Sequence, residues 1–234
     1  MAKILNIETA TGVCSVALSI DGEVVEIQES NIKNSHAEQI SLFSQKVVTD
    51  SGLKFIDLDA VSVSKGPGSY TGLRIGVSTA KGYCYGLGIP LISVGTLASM
   101  AIGMVNKLGV KVDSNTLFCP MIDARRMEVY TAIFSSNNTL IEDVSAKIID
   151  NDSFSDYLNS YKIIMAGDGA SKCREILSHQ QNAIFYDDFH PSAMHQSKIA
   201  EQMFLDGEFE DTAYFEPYYL KQFIAGKPRV KGLR

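Results

Sequence analysis

Lys3 to Glu8 and Val13 to Ile20 alternate or run apolar with β-branched residues, and Asp21-Gly22, a favoured hairpin dipeptide, leads into Glu23 to Gln28. This pattern predicts three antiparallel strands. The period then changes. Ile40, Phe43 and Val47 share one helical face, with Leu42 and Val48 beside it, and Ser35 and Glu38 have capping-box spacing ahead of a terminating Gly52. A strand at Ala60 to Ser64 precedes a second helix, Thr71 to Leu87, whose Leu73, Val77, Ala80, Cys84 and Leu87 recur at helical spacing. A strand at Leu91 to Val94 and a helix at Thr96 to Lys107 close the first half.

The same order then starts again. Leu117 to Ile122, Arg126 to Phe134 and Ile141 to Ile149 read as strands, with Asn137-Asn138 as a turn. A helix at Ser153 to Tyr161, a strand at Lys162 to Met165, a helix at Ala170 to Leu177, a strand at Ala183 to Tyr186 and a helix at Pro191 to Phe204 follow. We expect a duplicated α/β unit with partly parallel sheets, because strand-helix-strand crossovers join parallel neighbours. The lobes are expected at residues 1–107 and 108–234, with the helix at 191–204 packing back on the first lobe.

The second helix departs from ordinary helix composition. It carries Gly72, Gly76, Gly82 and Gly86, each about 1 kcal/mol worse than alanine inside a helix. A ridge stripped of side chains lets another backbone approach, so we expect an interface there. The preceding Gly66-Pro67-Gly68-Ser69 is either an anion cradle at a helix start or a structural turn. Leu73 and Arg74 follow Gly72 where a P-loop needs Lys and Ser or Thr, and Thr71 stands where a dinucleotide loop needs its third glycine.

Composition narrows the function classes. With 234 residues and 45% hydrophobic content the chain can build a real core, while a net charge of -6 argues against autonomous binding to a phosphate backbone. Lys221, Lys227, Arg229, Lys231 and Arg234, with no acid after Glu216, leave a small basic tail. Cys14, Cys84, Cys119 and Cys173 lack C-x-x-C spacing and suit reduced thiols in a cytoplasmic protein. Glu8 interrupts any signal-like apolar core, and Pro90, Gly86, Gly88 and Gly95 cut the uncharged run from Gly82 to Asn106, so no secretory segment or membrane span is expected. His36 is followed four residues later by Ile40, and His190 and His195 are five apart, which places no histidine pair on one helical face for a metal. No Gly-x-Ser-x-Gly nucleophile motif occurs.

Two turns carry an acid at corresponding places, Ile7-Glu8-Thr9-Ala10-Thr11-Gly12 and Ile122-Asp123-Ala124-Arg125-Arg126. They resemble the phosphate hairpins of the actin, Hsp70 and sugar-kinase superfamily, with Ala10 and Arg125 or Arg126 where glycine would admit a phosphate. Met165-Ala166-Gly167-Asp168-Gly169-Ala170 resembles that superfamily's adenosine turn. Gly66-Pro67-Gly68-Ser69-Tyr70-Thr71-Gly72-Leu73-Arg74-Ile75-Gly76, then Ala80-Lys81-Gly82, together with Ile7-Glu8-Thr9-Ala10 and the stretch from Asp123 to Tyr130, is similar to the signatures of the TsaB (YeaZ) family over nearly the whole chain.

That resemblance implies a two-lobed actin-like/Hsp70-like (ASKHA) ATPase fold in a non-catalytic subunit for threonylcarbamoyladenosine formation in tRNAs reading codons that begin with A. It implies a heterodimer with TsaD, which would hold the ATP and metal. It also implies docking of the P-loop ATPase TsaE, tRNA reached only through the complex, and a homodimer in isolation. No metal, cofactor or catalytic residue of its own is implied. The partner contact would fall on the first two helices, at His36, Ile40, Phe43 and Val47 of one and Gly72, Arg74, Ile75, Gly76, Thr79, Gly82, Tyr83 and Gly86 of the other. Glu8, Thr9, Thr11, Asp123, Arg125, Arg126 and Glu128 would be vestigial phosphate loops or TsaE contacts. An active ATPase or small-molecule kinase on the same fold is the alternative, and a glycoprotease-like peptidase a third.

Overall fold

The computed structural model describes residues 1–32, 35–108, 113 and 115–221. The first half is β1 (Lys3–Glu8), β2 (Cys14–Ile20), β3 (Glu23–Ser30), α1 (His36–Asp50), β4 (Ala60–Gly66), α2 (Tyr70–Leu87), β5 (Leu91–Gly95) and α3 (Thr96–Leu108). The second is β6 (Thr116–Asp123), β7 (Glu128–Ser135), β8 (Leu140–Ile148), α4 (Ser155–Leu158), β9 (Lys162–Ala166), α5 (Ala170–Leu177), β10 (Ala183–Tyr186) and α6 (Ser197–Asp206). Sheet one has the order β3-β2-β1-β4-β5 and sheet two β10-β9-β6-β7-β8. In each, the first three strands pair antiparallel and the last two add in parallel beside the first. The two halves therefore share one connectivity.

Alternation along the strands sends successive side chains to opposite sheet faces, and each face has its own cover. Leu5, Ile7, Val61 and Val63 pack under Ile40, Val47, Val77 and Ala80 of α1 and α2. On the other side, Ile4, Ala60, Ile92 and Val94 meet Ala200 of α6. In sheet two, Leu117, Cys119 and Met121 face Leu158, Cys173 and Leu177 of α4 and α5, whereas Phe118, Ile122 and Ala132 face Leu97, Met100 and Met104 of α3. The last helix of each half thus lies on the sheet of the other.

Three local expectations change. Ser35 precedes α1 but makes no capping bond, because its hydroxyl donates to the Ile32 carbonyl at 2.6 Å. The helix expected at Ser153 to Tyr161 is a single turn, α4, since Phe154 turns left-handed (φ 65°) to enter the core and a helix cannot run through that residue. The segment expected as one helix from Pro191 is a 3-10 turn, Ala193–Gln196, capped by Ser192, that leads into α6. Among the described residues no helix is long and apolar enough to cross a membrane.

Candidate functional site in the helix pair and hairpins

Parallel pairing of β1 with β4 brings the strand ends Ile7 and Val63 into register, so the hairpin at Glu8–Gly12 and the glycine loop before α2 emerge side by side. The Ser69 N–H donates to the Ala10 carbonyl at 2.7 Å, and the Ser69 hydroxyl accepts from the Gly72 N–H at 3.3 Å, capping α2. A Cβ at Gly68 would run into the Ala10 carbonyl, one at Gly72 into the Thr9 carbonyl, and one at Gly76 into Thr9 Oγ1. Gly82 and Gly86, by contrast, have no described atom within 4 Å of such a Cβ. The four glycines therefore serve two purposes. At a rise of 1.5 Å per residue Gly82 and Gly86 lie about 15 and 21 Å along the helix axis from Gly72, which carries them past the hairpin and onto the surface.

The expected partner face contracts accordingly. Gly72 and Gly76 are sealed inside their own lobe by the hairpin, and Ile40 and Val47 belong to the core. His36 is buried as well, its Nε2 lying 3.0 Å from the Thr11 carbonyl and 3.2 Å from that of Val13. These five positions are corrected from surface to interior because that side of each helix is the one pressed on sheet one. Phe43, Ile75 and Tyr83 are half-buried against the core, and Thr79 returns its hydroxyl to the Ile75 carbonyl at 2.9 Å. Arg74 is exposed, with Nη1 donating to the Tyr70 hydroxyl at 2.8 Å. Beside Gly82 and Gly86 stands Tyr85, 89% exposed, and α1 contributes Leu42, 63% exposed. A groove of about 410 Å³ runs between α1 and α2, lined by Ser41, Gln45, Val48, Phe55 and Tyr83, with the Phe55 and Tyr83 rings stacked at 5.2 Å.

Glu8 is entirely buried. Its Oε1 accepts from the Ala10 N–H at 2.6 Å and its Oε2 from Gln196 Nε2 at 3.3 Å. Gln196 also donates to the Ile7 carbonyl at 3.0 Å and accepts from the Ser62 hydroxyl at 2.9 Å. Burial pushes the Glu8 carboxyl up to about 7, although hydrogen bonds from Ala10, Ser64 and Gln196 pull the other way. The hairpin N–H that would face a phosphate is thus turned inward, onto the hairpin's own acid. Thr9 offers its N–H to Ser64 Oγ at 3.4 Å, its Oγ1 has no partner among the described residues, and Thr11 Oγ1 accepts from the Val13 N–H at 3.4 Å. Sequence reading missed Gln196, Ser62 and Ser64; only the expectation that the last helix folds back pointed toward Gln196.

The second hairpin repeats the arrangement with different chemistry. β6 pairs with β9 up to Pro120 and Ala166, which sets Gly167 and Gly169 against the backbone of Met121 to Asp123. The Gly169 N–H donates to the Met121 carbonyl at 3.1 Å and the Asp123 N–H to Asp168 Oδ1 at 2.9 Å. The turn resembling an adenosine site therefore clasps the second hairpin as the α2 loop clasps the first. Arg125 (φ 71°) and Arg126 (φ 49°) are both left-handed and exposed, a conformation costing about 1 kcal/mol or more per non-glycine residue. Asp123 accepts from the Arg125 N–H at 2.9 Å and pairs with Lys172, which also donates to the Glu128 carbonyl at 2.6 Å. Partial burial would raise the Asp123 carboxyl, but Lys172 and Arg125 hold it below the usual range; burial and then the Asp123 charge raise that of Asp168. The Glu128 carboxylate pairs with Lys221.

Among the described residues no group of three or more His, Cys, Asp or Glu could hold a metal ion. All four cysteines are buried, and burial pushes the thiols of Cys14, Cys84 and Cys173 up to about 11 and that of Cys119 to about 12. Thiolate nucleophiles are therefore not on offer at neutral pH.

Two lobes of one connectivity, each with an acid-bearing hairpin held by a glycine turn, define an actin-like α/β protein. Residues 24–217 match the family model described as TsaD, tRNA N6-adenosine threonylcarbamoyltransferase. The Escherichia coli protein TsaB, a tRNA threonylcarbamoyladenosine biosynthesis protein, is 32% identical over 96% of this chain and 97% of its own length. Its Haemophilus influenzae counterpart is 25% identical over 96% of this chain and 95% of its own. The chain belongs to the TsaB (YeaZ) family within this TsaD-type group. YeaZ from Pseudomonas aeruginosa has the same fold, with a TM-score of 0.80 at 23% identity, covering 94% of this chain and all of that one.

Proposed function

We propose that this chain acts in threonylcarbamoyladenosine formation in tRNA as a non-catalytic subunit that docks on TsaD through the outer edge of its α1–α2 pair. The observation carrying this reading is the second glycine pair. Gly72 and Gly76 are accounted for by the Thr9 hairpin, whereas Gly82 and Gly86 together cost α2 about 2 kcal/mol with no contact among the described residues to offset it. An approaching backbone from a second subunit would supply that contact, and Leu42 and Tyr85 offer apolar surface beside it.

The non-catalytic part of the reading rests on the hairpins. Ala10 gives its N–H to Glu8, and the second hairpin presents arginine side chains where a phosphate would need open backbone. ATP and metal accordingly belong to TsaD or the shared complex. TsaE would meet the exposed second hairpin at Arg125 and Arg126, tRNA would be reached through the complex, and in isolation the same helix edge would pair two copies of the chain.

The test is copurification with TsaD and reconstituted threonylcarbamoylation using Gly82→Phe and Gly86→Phe. Both sites are open, so both variants are expected to fold as the parent does and to lose the partner and the modification. Retention of TsaD by both variants would overturn the docking surface. Micromolar ATP binding by the isolated chain in calorimetry would instead support an active nucleotide enzyme.

A further inference from the structure

After α6 the chain stays on the molecule. Gly207 ends the helix with φ 72°, and Glu210 then joins the free edge of β5. Its N–H donates to the Leu91 carbonyl at 2.8 Å and its carboxylate accepts from the Ser93 hydroxyl at 2.5 Å. A turn at Asp211, whose Oδ1 accepts from the Ala213 N–H at 2.8 Å, directs the next residues along α2. There Lys81 Nζ donates to the carbonyls of Ala213 and Phe215, both at 3.1 Å, and the Phe215 ring packs on the core of sheet one. The Tyr218 N–H donates to the Lys65 carbonyl at 2.7 Å, and Tyr219 lies 4.9 Å from Tyr70, ring to ring. Lys221 then reaches the second lobe and pairs with Glu128.

Two residues of the strand-loop-helix signature acquire a role from this path. A side chain at Gly66, where φ is 112°, would meet the Tyr218 carbonyl at 2.7 Å, and Lys81 is the cation that holds two strap carbonyls. Neither takes part in the hairpin contact or in the open edge of α2. The strap has few backbone bonds to the rest of the fold, so it belongs to the elements that open at low free-energy cost. Its far end lands on Glu128, whose carbonyl already accepts from Lys172, the ion-pair partner of Asp123.

We propose that residues 210–221 form a clasp that makes the setting of the second hairpin depend on the seating of the strap along α2, with Lys81 as the positioning residue at one end and Lys221 at the other. Lifting the strap from Lys81 loosens the hold of Lys221 on Glu128, so that the hairpin at 123–128, still tied by Lys172 and Asp168, opens more often. The surface beside α2 and the exposed hairpin arginines are then coupled sites rather than independent ones, and a partner that displaces the strap changes both.

Hydrogen exchange read by mass spectrometry on the full chain tests this. Lys81→Met keeps the aliphatic stem and removes the donors. It is expected to speed exchange in 208–220, and also in 123–128 by about twofold to fivefold, the range set by one exposed ion pair. Lys221→Met is expected to give the same change at 123–128 while leaving 208–218 at parental rates, and the double variant is expected to add nothing further at 123–128. Parental exchange at 123–128 in Lys81→Met, or additive effects in the double variant, would overturn the clasp. Should Lys81→Met lose its helical circular dichroism, Tyr219→Ala loosens the same strap from the Tyr70 side and is judged by the same two regions.

Discussion

Replacing Glu8 by glutamine should stabilise this protein above neutrality and not below pH 4.5. The carboxyl titrates near 7 in the fold against 4.5 in the unfolded chain, because no solvent reaches it. Between those values the native state holds a proton that the unfolded state has released, so stability present in full below pH 4.5 is lost as pH rises through about 7. That interval corresponds to on the order of 3 kcal/mol. Glutamine reproduces the protonated acid and keeps an oxygen for the Ala10 N–H, but it turns an amide toward Gln196 Nε2, at a cost of about 1 kcal/mol for one lost hydrogen bond. The net gain expected at pH 8 is about 2 kcal/mol, or about 4–8 °C in Tm for a chain of this size. Urea denaturation of both proteins from pH 4.5 to 8.5 measures it. Parallel stability profiles, offset by a constant, would refute the assignment of a proton to Glu8.

The glycines of α2 give a paired prediction: Gly72→Ala should destabilise the isolated chain by about 1–3 kcal/mol through its collision with the Thr9 carbonyl, whereas Gly82→Ala should stabilise it by about 1 kcal/mol. Thermal unfolding of the two variants checks the sign of each, and a neutral Gly72→Ala would contradict the clasped hairpin. His195 is buried, stacked on Phe189 at 5.4 Å, and burial pushes its imidazole down to about 4. It stabilises the fold above pH 6.5, and that contribution fades as pH falls through about 4. His195→Phe should therefore flatten the acid limb of the stability curve. Between pH 4.5 and 6.5 the Glu8 and His195 slopes oppose one another, so the parent should look nearly insensitive to pH there while each single variant reveals the slope of the other group.

The alternation of the strands and the helical period of α1, α2 and α5 made the duplicated architecture legible, because a sheet covered on both faces needs long apolar runs and those runs recur in the same order. Boundaries failed where one residue broke local preference for a tertiary reason, as Phe154 does on entering the core at positive φ. The glycine ridge was half legible. Its residue type announced close approach, and the distance along the helix from Gly72 to Gly82 separates the two pairs, but only the position of Thr9 decides which pair is already occupied. Ile40 and Val47 looked like candidates for a partner because a buried stripe and a docking stripe have the same composition. Gln196 was barely legible, because it stands 134 residues from Ser62 and 188 from Glu8 and only the expected return of the last helix onto the first lobe pointed to it.

The exchange of α3 and α6 between the halves has a consequence for how such a molecule can move. Each sheet is roofed by a helix that the opposite half encodes, so neither half taken alone could shield Ile4, Ile92 and Val94 or Phe118, Ile122 and Ala132 from water. A clamshell opening of the kind a nucleotide drives would have to lift both roofs together. Two halves of one connectivity are thereby bound into a single body, because neither carries its own roof.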